Sequence, residues 1–223
     1  MLNRIQFALN IDTHPHSFKE KVISAIGAFV GIFLTYTIST YFLDPTIAVF
    51  ITASMGASAV LLFAVPHGVL SGPWSVVGGH FISALIGVGV SKLVSDPFVA
   101  ASLAVGLAVL AMQFLKCVHP PGGATALIGV IGGVSVHRLG FDFAVFPVLV
   151  NALTITLSAV LYNYFFNWRR YPPSLSPKTQ KTLHQKKLLS TEDIEKAITD
   201  LDIYVDVSTE ELVRIFEYAQ KRL

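Results

Sequence analysis

The chain has 223 residues, of which 53% are hydrophobic and only 13% charged, with a net charge of +2 and a mean hydropathy of +0.63. From Val22 to Trp168 it carries six charged side chains, Asp44, Lys92, Asp96, Lys116, Arg138 and Asp142, too few to clothe a soluble core. The composition therefore specifies an all-α polytopic membrane protein, and the near-neutral charge gives no footprint for a nucleic-acid partner.

Taken in chain order, residues 1–21 lack the continuous apolar run of a cleaved leader and read as a cytoplasmic N-terminal segment. A helix needs about 20 apolar residues to cross roughly 30 Å of hydrocarbon. Six stretches approach that length: 22–43, 45–65, 74–95, 97–116, 119–137 and 143–167, together forming a transmembrane domain over 22–168. Asp44-Pro45, Pro66-His67-Gly68, Gly72-Pro73, Asp96-Pro97 and the run from Arg138 to Asp142 punctuate them. Arg4, Lys19 and Lys21 precede the first span, and Arg169, Arg170, Lys178 and Lys181 follow the last. Positive charge on the inside then predicts a multi-pass protein of the cell inner (cytoplasmic) membrane with both termini cytoplasmic.

The second and fifth segments are predicted to be interrupted, near Met55-Gly56 and at His119-Pro120-Pro121. They also resemble each other, GASAVLLF from Gly56 against GATALIGV from Gly123, each inside a group of three segments. Two inverted three-segment repeats follow from that match, pairing His80 with Asn151 and Ser83 with Thr154, with a site expected near the midplane. The competing reading is that small residues recur in any bundle because they let helices approach.

Proline lacks an N–H and clashes in a helix interior, yet is tolerated at a helix start. The stretch KCVHPPGGATALIGV at 116–130 therefore reads as a break followed by a helix from Pro121. Such a start presents N–H groups and the positive end of the macrodipole, which suits a small anion. The candidate substrate-binding residues are His119, Pro120, Pro121, Gly122, Gly123 and Thr125, the matching Gly56 and Ser58, and His80, Lys116 and Asn151. His119 reads either as a protonatable donor or as a cap for a neighbouring helix end. His80, inside the third segment, either faces a cavity or is a hydrogen-bonded structural group. His67 is expected to be a solvated loop residue. No acidic or cysteine cluster accompanies the histidines, and the single Cys117 cannot form an intrachain disulfide, so no metal site and no cofactor are expected. No nucleophile–base spacing or phosphate loop appears, which argues against an enzyme.

GASAVLLF, GGHFISALIGV and HPPGGATAL, in that order, closely resemble the HPP family of integral membrane proteins over roughly 22–168. The resemblance implies a membrane transporter or channel for a small monovalent anion, with nitrite as the substrate linked to some members. It places the family motif on His119, Pro120, Pro121, Gly123, Ala124 and Thr125, with Gly122 where relatives often carry alanine. A membrane-embedded sensor or scaffold signalling through the tail is the alternative.

That tail comprises a basic linker at 169–189 and a helical cytoplasmic segment at 190–223, holding nine of the fourteen acids. STEDIEKAITDL has helical spacing at Ile194, Ala197, Ile198 and Leu201. STEELVRIFEYAQKRL has a capping box at Ser208 and Glu211 and a face of Leu212, Ile215, Phe216 and Ala219; DIYVDV between them alternates and reads as extended. The two faces are too small to bury alone, so a homo-oligomer is expected, alongside the lipid bilayer and a small inorganic anion as partners.

Overall fold

The computed structural model describes residues 17–42 and 45–175, together with 193, 194, 196, 197, 200, 212, 213 and 216. Two compact units divide the chain, Ile23–Thr179 and Met1–Val22 with Gln180–Leu223. The described residues of the second unit's tail, 193, 194, 196, 197, 200, 212, 213 and 216, are helical. Ile198, Leu201, Ser208, Glu211, Ile215, Ala219 and the DIYVDV stretch lie outside the described residues.

The first five helices begin where the sequence supplies a start signal. Helices α1 (Phe18–Phe42), α2 (Pro45–Ala64), α3 (Pro73–Leu93), α4 (Pro97–Phe114) and α5 (Pro121–Ile131) follow in order. Four of the five open on proline, whose fixed φ suits the first turn and whose missing N–H would have had no partner there. Ser17 caps α1 by accepting from the Glu20 N–H at 3.1 Å. Asp96 caps α4, its Oδ1 accepting from the N–H groups of Phe98 at 3.0 Å and Val99 at 2.8 Å. Beyond α5 the chain bends by 95° into α6 (Gly133–Leu139) at Gly133, whose φ of +78° only glycine adopts freely. A π-helical turn, Ala144–Leu149, then leads into α7 (Val150–Tyr164), with Phe146 leaving helical geometry (φ −126°, ψ 104°) just ahead of Pro147.

Four of these helices are long and apolar enough to cross a membrane: Phe18–Tyr41, Pro73–Leu93, Pro97–Phe114 and Ala144–Tyr164. The bent pair α5 and α6 makes a fifth if taken as one span. The predicted six segments are thus corrected in two places. Helix α2 runs through Met55-Gly56 without a break, because no proline lies nearer than Pro45 and a lone glycine does not stop a helix. The fifth segment is not one straight span, since the glycine pair Gly132-Gly133 turns it sideways.

The bundle is organised for lipid outside and close approach inside. Helix α4 buries Ala100, Ala104, Ala108 and Met112, one every fourth residue, and exposes Phe98, Val99, Leu103, Leu107, Leu110 and Phe114. Large apolar groups outward and small ones inward is the pattern expected where van der Waals contact, not water exclusion, holds helices together. The tightest seam joins α3 to α5. Gly79, Ser83 and Gly87 on α3 meet Gly122, Ala126 and Gly129 on α5, and a Cβ on Gly129 would lie 3.0 Å from the Gly87 Cα. The two helices therefore run parallel, with Gly122 level with Gly79 and Gly129 level with Gly87.

At one end of the unit the chain is clasped shut. Arg169 is 1% exposed, donating to the Phe63 carbonyl, to Ser24 Oγ at 3.1 Å and to Asn163 Oδ1 at 3.2 Å. The Tyr171 hydroxyl donates to the Ser71 carbonyl at 2.7 Å, and His67 Nε2–H donates to the Arg170 carbonyl at 3.2 Å. His67 is therefore a half-buried tie, not a solvated loop residue. Arg169 and Tyr171 are buried in the same compact unit as the bundle helices, which runs to Thr179.

Candidate functional site

Ser58 on α2, His80 on α3, His119 in the connection before α5, and Thr125 on α5 converge on one point. Each is at most 1% exposed. Ser58 Oγ lies 2.8 Å from His80 Nε2 and 2.8 Å from His119 Nε2. His80 Nδ1 lies 2.7 Å from Thr125 Oγ1, and His119 Nδ1 lies 2.9 Å from the Leu70 carbonyl oxygen. The two imidazoles meet edge to face with centroids 5.0 Å apart.

These contacts fix the direction of every hydrogen bond when both rings are neutral. A carbonyl only accepts, so His119 Nδ1 carries the hydrogen and His119 Nε2 must accept. Ser58 then donates its one hydrogen to His119, leaving its oxygen to accept from His80 Nε2–H. His80 Nδ1 is consequently an acceptor, and the Thr125 hydroxyl donates to it. The result is a single polarised chain, Thr125 to His80 to Ser58 to His119 to Leu70, in which every imidazole nitrogen is paired.

The local chain path explains how a histidine reaches this place. Helix α4 ends in a Schellman turn, with Lys116 N–H donating to the Gln113 carbonyl at 3.2 Å and Cys117 N–H to the Met112 carbonyl at 2.9 Å. Lys116 takes φ +54° there and the backbone reverses, sending residues 117–119 back into the bundle. A Cβ on Gly79 would sit 2.7 Å from His119 Cβ and 2.9 Å from the Cys117 carbonyl oxygen, so the bare α3 surface admits this re-entrant strand of chain. His80 is the eighth residue of α3, about 10 Å from its start at 1.5 Å per residue. The chain is thus about a third of the way along α3 and not at its middle.

The expectation of an open helix start is corrected. Pro120 and Pro121 have no N–H to offer, and the next two are used: Gly122 N–H donates to the His119 carbonyl at 2.9 Å and Gly123 N–H to the Pro120 carbonyl at 3.0 Å. With α2 unbroken, no second helix start faces the first. Gly56 is half-buried with nothing within 4 Å of an added Cβ, whereas Gly123 would meet only Val105 Cγ1 at 3.9 Å. Gly122 is the confined one, an added Cβ lying 2.8 Å from Ser83 Oγ and 3.0 Å from the Gly79 carbonyl oxygen. Gly122→Ala is therefore expected to lower stability by about 2 kcal/mol while Gly123→Ala changes it by less than about 0.5 kcal/mol. Thermal denaturation in detergent measures both, and equal effects would contradict the packing described.

Of the remaining candidates, Pro121 is buried as the first residue of α5 and Pro120 is exposed. Lys116 is exposed at the end of α4, outside the chain of hydrogen bonds. Asn151 is 1% exposed but belongs to a separate pair, its Oδ1 lying 2.9 Å from Ser39 Oγ, and its Nδ2 has no partner. Thr154 donates to the Val150 carbonyl of its own helix. Ser58 and Thr125, aligned with each other in the sequence, meet opposite nitrogens of His80. The Leu70 carbonyl was invisible in the sequence, since any residue supplies a carbonyl. Among the described residues no three His, Cys, Asp or Glu side chains gather as a metal site would need.

The family model for the HPP transmembrane region matches residues 13–172. Two transmembrane proteins of Dictyostelium discoideum are similar to this chain. One is 37% identical over 153 residues, 67% of this chain and 49% of the relative. The other is 42% identical over 134 residues, 58% of this chain and 46% of the relative. The chain spans about half the length of these relatives. No solved structure matches.

Proposed function

The chain belongs to the HPP family of transmembrane proteins, and from that premise we propose that it is a membrane transporter for a small monovalent anion such as nitrite, with the hydrogen-bonded chain around Ser58 as its binding and gating element. The observation that carries this reading is two wholly buried imidazoles sharing one serine hydroxyl inside the helix bundle. Ionisable groups at such depth are expensive, and marking a substrate path is what they most often do. In this reading the arrangement described is the closed state. The anion takes the place of Ser58 as the acceptor from the His80 Nε2–H when the helices part. The inverted repeat is retained here only as the convergence of Ser58 and Thr125 on His80.

The sensor or scaffold reading is favoured by a different observation. The Leu70 carbonyl accepts from His119 and the adjacent Ser71 carbonyl from Tyr171, so one short turn joins the buried chain to the segment that leads into the tail. Flux from liposomes loaded with nitrite, nitrate, formate or chloride separates the two. Transport predicts selective nitrite flux that falls at least about tenfold in Ser58→Ala, since both imidazoles lose a buried partner worth 1–3 kcal/mol or so. No flux of any of these anions from folded protein would sink the transport reading and favour the sensor.

A further inference from the structure

We propose that the Thr125–His80–Ser58–His119 chain takes up one proton, and only one, with each anion, making the protein an electroneutral proton–anion cotransporter. This rests on the anion-transport reading above and adds a second substrate to the same site.

The argument is a count of hydrogens over fixed positions. In the neutral chain four hydrogens serve four bonds: Thr125 O–H to His80 Nδ1, His80 Nε2–H to Ser58, Ser58 O–H to His119 Nε2, and His119 Nδ1–H to the Leu70 carbonyl. Add one proton at Thr125 and let each neighbour pass one along. His80 becomes Nδ1–H and gives its Nε2 hydrogen to Ser58, and Ser58 gives its own to His119 Nε2. His119 then donates to Ser58, Ser58 to His80, and His80 to Thr125. The Thr125 hydroxyl turns to the Pro121 carbonyl, already 3.4 Å away. Every bond is still made, the three between Thr125 and His119 in the opposite direction and the one from His119 Nδ1–H to the Leu70 carbonyl unchanged, and His119 holds the positive charge. The proton comes from bulk water; only N–H and O–H bonds form and break, and nothing is oxidised.

A second proton finds no such place. Both rings would then donate to Ser58, whose own hydrogen would be left only the Ser54 carbonyl at 3.5 Å. Two imidazoliums would also face each other with centroids 5.0 Å apart. Among the described residues no carboxylate is bonded to either ring. The titratable and charged groups on the surrounding elements, among the described residues, are Lys92 in the last turn of α3, Cys117 and Lys116 in the connection, His67 in the turn before α3, and Tyr171, bonded to the Ser71 carbonyl. Helices α2 and α5, among the described residues, bring Ser54, Ser58 and Thr125 here, α3 adds Ser83, and α4 presents Met112. Among the described residues of the unit the acids are Asp96, which caps the opposite end of α4's run, and Asp142 in the connection after α6. A lone buried cation is costly, so the proton is held when an anion neutralises it and released when the anion leaves. The substrate class is then the conjugate base of a weak acid, carried with its proton.

Two measurements with nitrite as the probe test this. In bilayers, magnetic resonance of isotope-labelled histidine nitrogens should show His119 as Nδ1–H and His80 as Nε2–H without nitrite. Nitrite should convert the pair to one shared imidazolium. In liposomes, nitrite entry should alkalinise the outer medium by one proton per anion beyond a protein-free control, and nitrite affinity should weaken about tenfold per pH unit above the neutral range by linkage. Ser58→Ala, which cuts the chain between the rings, should abolish the shared proton; Thr125→Ser should retain it and Thr125→Val should not. Nitrite flux that moves charge without protons overturns this inference and leaves the transport reading standing. Neither flux nor a nitrite-dependent imidazolium overturns both. Two imidazoliums per chain overturn the single-proton limit.

Discussion

Gly87→Ala is expected to lower the unfolding free energy by about 3 kcal/mol and to abolish anion flux together. An added Cβ at this position would drive into the Ala126 carbonyl, with the Ala126 C and Cα each 3.1 Å away. All three are backbone atoms of α5, so no rotamer change relieves the contact; the helix itself must retreat. Because α5 carries Thr125 to His80 at 2.7 Å, a retreat of even an ångström breaks the polar chain. The controls are internal. Gly89 and Gly106 have nothing within 4 Å of an added Cβ. Alanine there should be neutral or stabilise by up to about 1 kcal/mol through helix propensity. A melting temperature for Gly87→Ala no lower than for Gly89→Ala would mean that α3 and α5 do not meet through these glycines.

Arg169→Ala is the second substitution with a large expected effect, a loss of about 3 kcal/mol or more. The guanidinium ties three helix ends together, at Ser24 on α1, Phe63 on α2 and Asn163 on α7. It also supplies positive charge where the last carbonyls of α2 leave the negative end of a helix dipole. Asn163 Nδ2 assists by donating to the Leu62 carbonyl at 3.4 Å. Arg169→Met keeps most of the volume and should still lose most of the stability, because the buried acceptors would be left without donors. Arg169→Lys should recover only part, since one ammonium cannot reproduce a planar fork reaching three directions. Arg170, whose guanidinium bonds exposed Asn167 Oδ1 at 3.0 Å, is the comparison: Arg170→Ala should change stability by less than about 1 kcal/mol. Similar melting curves for the two alanine variants would show that Arg169 is not the clasp.

The candidate site was legible in part: four of the residues singled out in the sequence meet, while Gly56, Lys116 and Asn151 lie apart from them. His80 and His119 stand out in the sequence because ionisable groups are scarce there, Ser58 and Thr125 because the GASA and GATA motifs align them, and the structure places all four on one chain of hydrogen bonds. What they do there differs from the sequence expectation. A helix start was expected to offer free N–H groups. The prolines that announce the start remove two donors, and the turn they impose directs the Gly122 and Gly123 N–H groups to the carbonyls of His119 and Pro120. Gly56 and Gly123 looked critical because they match each other in the repeat. Confinement instead falls on Gly79, Gly87, Gly122 and Gly129, and it depends on helix phase and partner, which a one-dimensional match does not encode. Arg169 looked like the first residue of a basic linker because a count of positive charge says nothing about depth.

The sequence by itself determined the solvent, the helices and their starts. Scarce charge over 22–168 requires a membrane, and prolines at 45, 73, 97 and 121 can begin helices but not continue them. These are local consequences of residue chemistry and need no knowledge of neighbours. Only the tertiary structure decided that α2 continues past Gly56, that α5 is a short helix bent away at Gly133, and that α3 and α5 run parallel through a glycine seam. It alone oriented the polar chain, because the direction of every hydrogen bond along it follows from a single backbone carbonyl, that of Leu70, brought to His119 from 49 positions away. A carbonyl is the one group every residue shares, so which one meets a histidine is settled by folding and by nothing in the side-chain alphabet.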